Sequence, residues 1–294
     1  MNVKKFSVFF ATLSLFFFIP SQKAFSWGNP GHSTIAYIAE QHLTPKARKA
    51  IEKYVGLHLA AIASDADSFR GQWTMDLGFI PTNPEAARVA FVKSFDFSTP
   101  LNISPWSHSI TVDENFKCFP TDNLDGAYIN NAAYYMDRLS KQLREDAENV
   151  DPYERYKAIA LIVHLMGDMH CPMHVVYLGR NTLKGKIKIK FRGKETTLHT
   201  YWDDRIFDSY FPKDFIALGY LADNGSKKDF KEITSGTVYD WAGRTAEKSW
   251  HCHVRWKDGD SLPARYDLEE REFFLGQLRD AGYRLAALLN ETFK

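Results

Sequence analysis

The sequence predicts a mainly α, single-domain fold with one small β-hairpin and long loops. Three observations carry this. Apolar residues recur at helical spacing over several long stretches. Strict alternation, the mark of a half-buried strand, is strong in one short segment only. No repeat, low-complexity tract or linker divides the 294 residues.

The first 26 residues, "MNVKKFSVFFATLSLFFFIPSQKAFS", join a basic start (Lys4, Lys5) to an apolar run from Phe6 to Ile19 and a small-x-small end at Ala24-Phe25-Ser26. This is the pattern of a cleaved signal peptide, too short for comfortable membrane spanning. It predicts an exported protein, periplasmic or secreted, whose mature domain runs over residues 27–294 and begins at Trp27. Next, "STIAYIAEQHLTPKARKAIEKYVG" reads as two helices broken at Thr44-Pro45 and stopped by Gly56. Residues 71–107, rich in Pro, Gly, Asn and aromatics, read as a long irregular loop. "NLDGAYINNAAYYMDRLSKQLRE" and "YERYKAIALIVHLMGDMH" read as amphipathic helices, the second ending before Pro172. In "GKIKIKFRGKETTLH", Ile187, Ile189 and Phe191 alternate with lysines before an Arg-Gly turn, which predicts the hairpin. "EEREFFLGQLRDAGYRLAALLNETF" closes the chain as a long amphipathic helix.

Charge narrows the function classes. The full chain carries 37 basic and 36 acidic residues. Removing residues 1–26 takes three lysines and no acids, leaving 34 against 36, a net charge of −2. Such a surface does not attract nucleic acid by itself. A function aimed at phosphate needs another source of positive charge, such as bound metal.

Metal-ligand spacing supplies that source. In "LIVHLMGDMHCPMH", His164 and Asp168 are four apart and share one helix face. His170 falls on the opposite side and is left out. His174 lies past the Cys171-Pro172 break, on a segment able to fold back over the site. The same spacing recurs at His199 and Asp203 in "LHTYWDD". Histidine and aspartate are ligands that zinc accepts. At the mature N-terminus, "WGNPGH", a free amine and carbonyl at Trp27 can chelate, and His32 follows five residues on.

In this order, Trp27 with His32, "ASDADSFR", "PWSHSI", "HLMGDMHCPMH" and "LHTYWDD" resemble the S1/P1 nuclease family, secreted zinc-dependent nucleases of the phospholipase C/P1 nuclease type. The resemblance covers nearly the whole mature chain. It implies three Zn2+. One would take Asp67, His108, His164 and Asp168. A second would take the Trp27 amine and carbonyl, His32 and Asp168, with Asp168 bridging. The third would take His174, His199 and Asp203. It further implies a hydroxide bridging the two close zincs as nucleophile, with Arg70 steadying charge on the phosphate beside Asp67. The expected substrates are single-stranded DNA and RNA, cleaved to 5′-phosphate products, with 3′-nucleotidase activity allowed. Nucleotides are thus further substrates. A monomer without a stable protein partner is expected.

The Asp67 assignment rests on alignment: the family pattern Trp-Ala-Asp-x-x-Arg places the ligand at Asp67 and the arginine at Arg70, with Asp65 where Trp usually stands. The family pattern also suggests a Cys118–Cys252 disulfide, leaving Cys171 free. Cys171 stands where glutamine is usual, as an inert buried thiol or an extra soft ligand. His251 and His253 read as incidental surface histidines. The chain departs from the family at His108-Ser109-Ile110-Thr111, where an acid near the base pocket is usual, and at "LGRNTLKG". Base preference is therefore not assigned. Two alternatives compete with a nuclease. One is a zinc-dependent phospholipase C of the same architecture, disfavoured by the short Trp27-to-His32 gap and by Asp203 in place of Glu. The other is a zinc-storing protein, which needs neither Arg70 nor a bridging Asp168.

Overall fold

The computed structural model describes residues 28–67, 108–121, 131–180, 187–210 and 214–294, with the strand pair at 123–124 and 127–128. The signal segment, Trp27, Arg70 and the predicted loop at 71–107 lie outside the described residues.

Among the described residues the fold is mainly α. Its centre is α5 (Pro152–His170), buried without interruption from Ala158 to His170. Asp151 starts this helix by accepting the Tyr153 and Glu154 amides, and Pro152 at the first position gives up no hydrogen bond. Helix α4 (Ala132–Asp146) packs along α5 as an antiparallel neighbour. Helices α1 (Asn29–Gln41), α2 (Pro45–Val55) and α3 (Leu59–Ile62) cover its other side. The predicted break between α1 and α2 is present: Thr44 caps α2, and Gly56 ends it in the left-handed conformation, φ 68°.

The predicted helix from Asn123 onward begins later. Residues Asn123–Leu124 (β2) and Ala127–Tyr128 (β3) form a short antiparallel pair instead. Asn131 sets the true start of α4. Its side chain accepts the Tyr134 amide at 3.2 Å and donates to Phe119 O at 2.7 Å. This tie to the preceding loop outweighs the helical pattern upstream.

Strand β1 (Ile110–Val112) pairs in parallel with β4 (Val175–Tyr177). Both are too short to leave a period in the sequence. The hairpin is formed as predicted by β5 (Lys188–Phe191) and β6 (Lys194–Thr197). Arg192 and Gly193 turn it with φ of 51° and 77°, the doubly positive pattern that suits strand twist.

Helix α6 (Leu198–Asp203) follows the hairpin directly. Beyond it come α7 (Phe215–Ala222), α8 (Lys227–Ile233), α9 (Val238–Val254), α10 (Tyr266–Glu269) and α11 (Arg271–Thr292). The predicted terminal helix thus begins at Arg271. Helix α11 packs against α1, α5, α4 and α7. It crosses α1 at Gly282, where an added Cβ would lie 2.4 Å from Ile38 Cγ2. No described helix is long and apolar enough to cross a membrane.

Candidate metal centre

Helix α5 carries His164 and Asp168 one turn apart, both fully buried. Ionised Asp168 in such a place costs several kcal/mol unless its charge is met. Three imidazoles surround it. His108 Nδ1 is 2.6 Å from Asp168 Oδ2, His32 Nε2 is 3.3 Å from Oδ1, and His164 Nε2 is 3.4 Å from Oδ2. Each comes from a different element. His32 sits in the first turn of α1, and His108 just before β1. Asp67 completes the group, its Oδ1 3.6 Å from His164 Nε2. Asp65 turns elsewhere and accepts a hydrogen bond from the Tyr156 hydroxyl.

The ring of His32 stacks on that of His164, with centroids 4.0 Å apart and planes 10° apart. Gly167 makes room for it: a Cβ there would lie 2.5 Å from His32 Nδ1. The glycine in "HLMGDMH" therefore serves a close approach of α1 to α5.

A second group lies beside the first. His174, in the turn Pro172–His174, points Nε2 at His199 Nε2, 3.0 Å away. His199 Nε2 is also 3.0 Å from Asp203 Oδ2, across one turn of α6. Cys171 Sγ donates to Asp203 Oδ1 at 3.1 Å. Burial pushes the Asp203 carboxyl up, against the opposing pull of His199 and Cys171. Gly28 closes this side by donating its N–H to Asp203 O.

Backbone carbonyls fix two of the rings. His164 Nδ1 lies 2.9 Å from Ala63 O, and His174 Nδ1 lies 2.7 Å from His108 O. A carbonyl only accepts, so both rings carry their proton on Nδ1. Their Nε2 lone pairs then face inward, toward His108 Nδ1 at 3.2 Å and toward His199 Nε2 at 3.0 Å. Imidazole lone pairs aimed at other nitrogens and at carboxylate oxygens form a cation-binding arrangement. A second ring nitrogen held by a carbonyl is the usual support for a histidine ligand. The donor set of imidazole and carboxylate suits zinc. Mutual closeness within 4.8 Å unites His32, His164 and Asp168, then Asp67, His108 and His164, then Cys171, His174 and Asp203.

The structure thus brings together eight of the residues singled out in the sequence: His32, Asp67, His108, His164, Asp168, His174, His199 and Asp203. Trp27 and Arg70 lie outside the described residues. His170 faces away. Its Nδ1 donates to Met166 O at 2.8 Å and its Nε2 accepts from Arg284 Nη1 at 2.7 Å, so the ring is neutral. Burial and the Arg284 charge bring its pKa down to about 3.

Three expectations need correction. The Cys118–Cys252 disulfide is not formed: all three cysteines are free and buried. Cys118 Sγ is taken up by Asn131 Oδ1 at 3.5 Å, and Cys252 Sγ by His251 Nε2 at 3.4 Å. His253 is not on the surface. It is buried, and its Nε2 donates to Pro172 O at 2.6 Å, bracing the turn that presents His174. Burial holds its pKa down at about 4. His251 is partly exposed but engaged, 3.0 Å from Glu270 Oε2, which raises its pKa. The bracing role left no periodic signal, because it joins residues 81 positions apart.

Comparison with known proteins bears on this geometry. The family model described as S1/P1 Nuclease matches residues 27–294. Nuclease P1 of Penicillium citrinum is 27% identical, over 90% of this chain and 97% of its own length. Endonuclease 2 of Arabidopsis thaliana is 23% identical over 99% of both chains, and Nuclease S1 of Aspergillus oryzae 27% identical over 96% of this chain and 84% of its own. A match that takes in every element described above, the eight converging side chains included, makes this chain a member of the S1/P1 nuclease family.

Proposed function

We propose that this chain is an exported zinc-dependent endonuclease. It hydrolyses phosphodiester bonds of single-stranded DNA and RNA, leaving 5′-phosphate ends. Nucleoside 3′-monophosphates are secondary substrates, and the protein works as a monomer. The observation that carries the reading is the inward convergence of ring-nitrogen lone pairs on Asp168, Asp67 and Asp203, with two rings locked in one tautomer by Ala63 O and His108 O.

The donor set fits three Zn2+. Asp67, His108, His164 and Asp168 would hold one. Asp168 would share a second with His32 and with the amine and carbonyl of Trp27. His174, His199 and Asp203 would hold the third. When bound, these ions supply Lewis acidity, a water activated near neutral pH, and the positive charge that the net composition lacks.

The chain's own residues do the rest. Ala63 O and His108 O keep the His164 and His174 protons away from the centre. Asp168 lies within 3.4 Å of ring nitrogens of His32, His108 and His164, so one carboxylate and three rings face the same point. Arg70 pairs with phosphate oxygens as charge builds on them. In the hydrolysis, a bond forms between a water oxygen and phosphorus, and the bond from phosphorus to O3′ breaks. Release of residues 1–26 supplies the Trp27 amine, so processing switches the enzyme on. The matched family and the relatives named above are nucleases, which does not favour a phospholipase C.

The test is incubation of the mature, zinc-loaded protein with single-stranded DNA, with and without chelator, followed by end-group analysis. Chelator-sensitive release of 5′-phosphate products is expected. Three zincs per chain without cleavage would end the nuclease reading.

A further inference from the structure

A cavity of about 450 Å³ opens between α8, α9 and α11. Arg284 forms part of its wall, although only 2% of the residue is exposed. Its partners are all neutral: Nη1 donates to His170 Nε2 and Thr245 Oγ1, and Nε donates to Ile233 O. Among the described residues, Nη2 has no hydrogen bond and no carboxylate within ion-pair distance. Arg244 lines the same cavity, and its Nη2 also donates only to carbonyls, Ile233 O and Ser235 O. The two guanidiniums feel each other. Burial brings the Arg284 pKa down to about 10, with the Asp280 charge pulling it up and the Arg244 charge adding to the fall.

Two like charges held together, one of them buried and neither in direct contact with a carboxylate among the described residues, are offset only through space by Asp280. The acids of the cavity correct the imbalance only in part. Both oxygens of Asp280 are taken, Oδ2 by Lys248 at 2.7 Å and Oδ1 by Arg279 at 3.1 Å. Asp229 is tied into the capping box of α8 with Ser226. Glu232 is exposed on the rim.

We infer that this cavity is a second anion site, which takes a phosphate group between Arg284 and Arg244. It is separate from the metal centre and independent of the nuclease reading. Planar guanidiniums suit a tetrahedral oxyanion with paired N–H donors. The phosphate comes either as inorganic phosphate or on a nucleoside 5′-monophosphate.

Calorimetric titration of the zinc-loaded protein with inorganic phosphate at low ionic strength tests this. Wild type, Arg244→Glu and Glu232→Gln are compared. Wild type shows a class of phosphate sites that Arg244→Glu weakens about 10- to 100-fold, the scale of a lost charged hydrogen bond. Hydrolysis of single-stranded DNA stays within twofold of wild type. Glu232→Gln, at an exposed rim position, tightens the same class about two- to threefold by removing a repelling charge. Should Arg244→Glu fail to fold, the Glu232→Gln shift decides. Thymidine 5′-monophosphate and thymidine separate the sources, read on the class of sites that Arg244→Glu weakens: tighter binding of the monophosphate than of phosphate there marks a nucleotide, equal or weaker binding marks free phosphate, and thymidine does not occupy that class in either case. Isotherms that neither variant changes overturn the proposal.

Discussion

Helix α5 buries polar groups on two sides and resolves them in opposite ways. Toward α1, His164 and Asp168 meet further histidines and Asp67, and every ring lone pair that can be placed points inward. Toward α9 and α11, His170 meets a guanidinium, and its lone pair is consumed by Arg284. Gln277 adds a hydrogen bond to His170 O at 2.9 Å. The first side concentrates negative and lone-pair character, which only a cation relieves. The second is a hydrogen-bond network around a guanidinium that also lines the cavity beyond it. Burial of a histidine therefore carries no functional meaning by itself; the direction of its partners decides.

Breaking the cation side gives the largest effect. Asp168→Asn keeps the shape but loses the charge that three imidazoles share. Single-strand cleavage should fall by more than about 100-fold, beyond the 10–100-fold typical of a supporting residue, with bound zinc lost in elemental analysis. Unchanged metal content would sever Asp168 from the centre. Gly167→Ala comes next. The new Cβ pushes on His32, and a loss of about 10- to 100-fold in activity is expected with the fold retained by circular dichroism.

On the other side, effects should appear as stability. His170→Phe leaves Arg284 Nη1 without its ring acceptor and should cost about 1–3 kcal/mol in urea unfolding. Activity should change only a few-fold. A collapse of kcat instead would make the two sides one functional unit. The smallest effect is a slope with pH. His253 is held neutral with a folded pKa of about 4, below its ordinary 6.5. The unfolded chain then binds more protons, so its stabilising share is complete above pH 6.5 and shrinks as pH falls toward 4, by at most about 1.4 kcal/mol per unit. Melts of metal-free protein between pH 7 and 5 should show this dependence. It should flatten in His253→Gln, whose amide still donates to Pro172 O.

The cation side was partly legible in the sequence, because i,i+4 spacing is local. His164 with Asp168, and His199 with Asp203, stand out on any helical reading. His32 stood out only as a histidine near a chelating N-terminus, while Asp67 and His108 come from separate elements and were reachable only through family resemblance. The other side was not legible. Arg284 interrupts an apolar helix face, which was a signal, but its partner His170 lies 114 residues away and no period connects them. The disulfide expectation failed for the same reason: pairing is set by where two distant segments pack, and Cys118 and Cys252 end beside different neighbours.

His108 touches both side-chain groups of the candidate metal centre. Its ring touches Asp168, while its own carbonyl holds His174. The separation of the two groups is thereby tied to one residue, and changing it requires a change in that residue's rotamer or backbone torsions. The residue acts as a spacer. A one-residue insertion beside position 108 would therefore disturb both groups together.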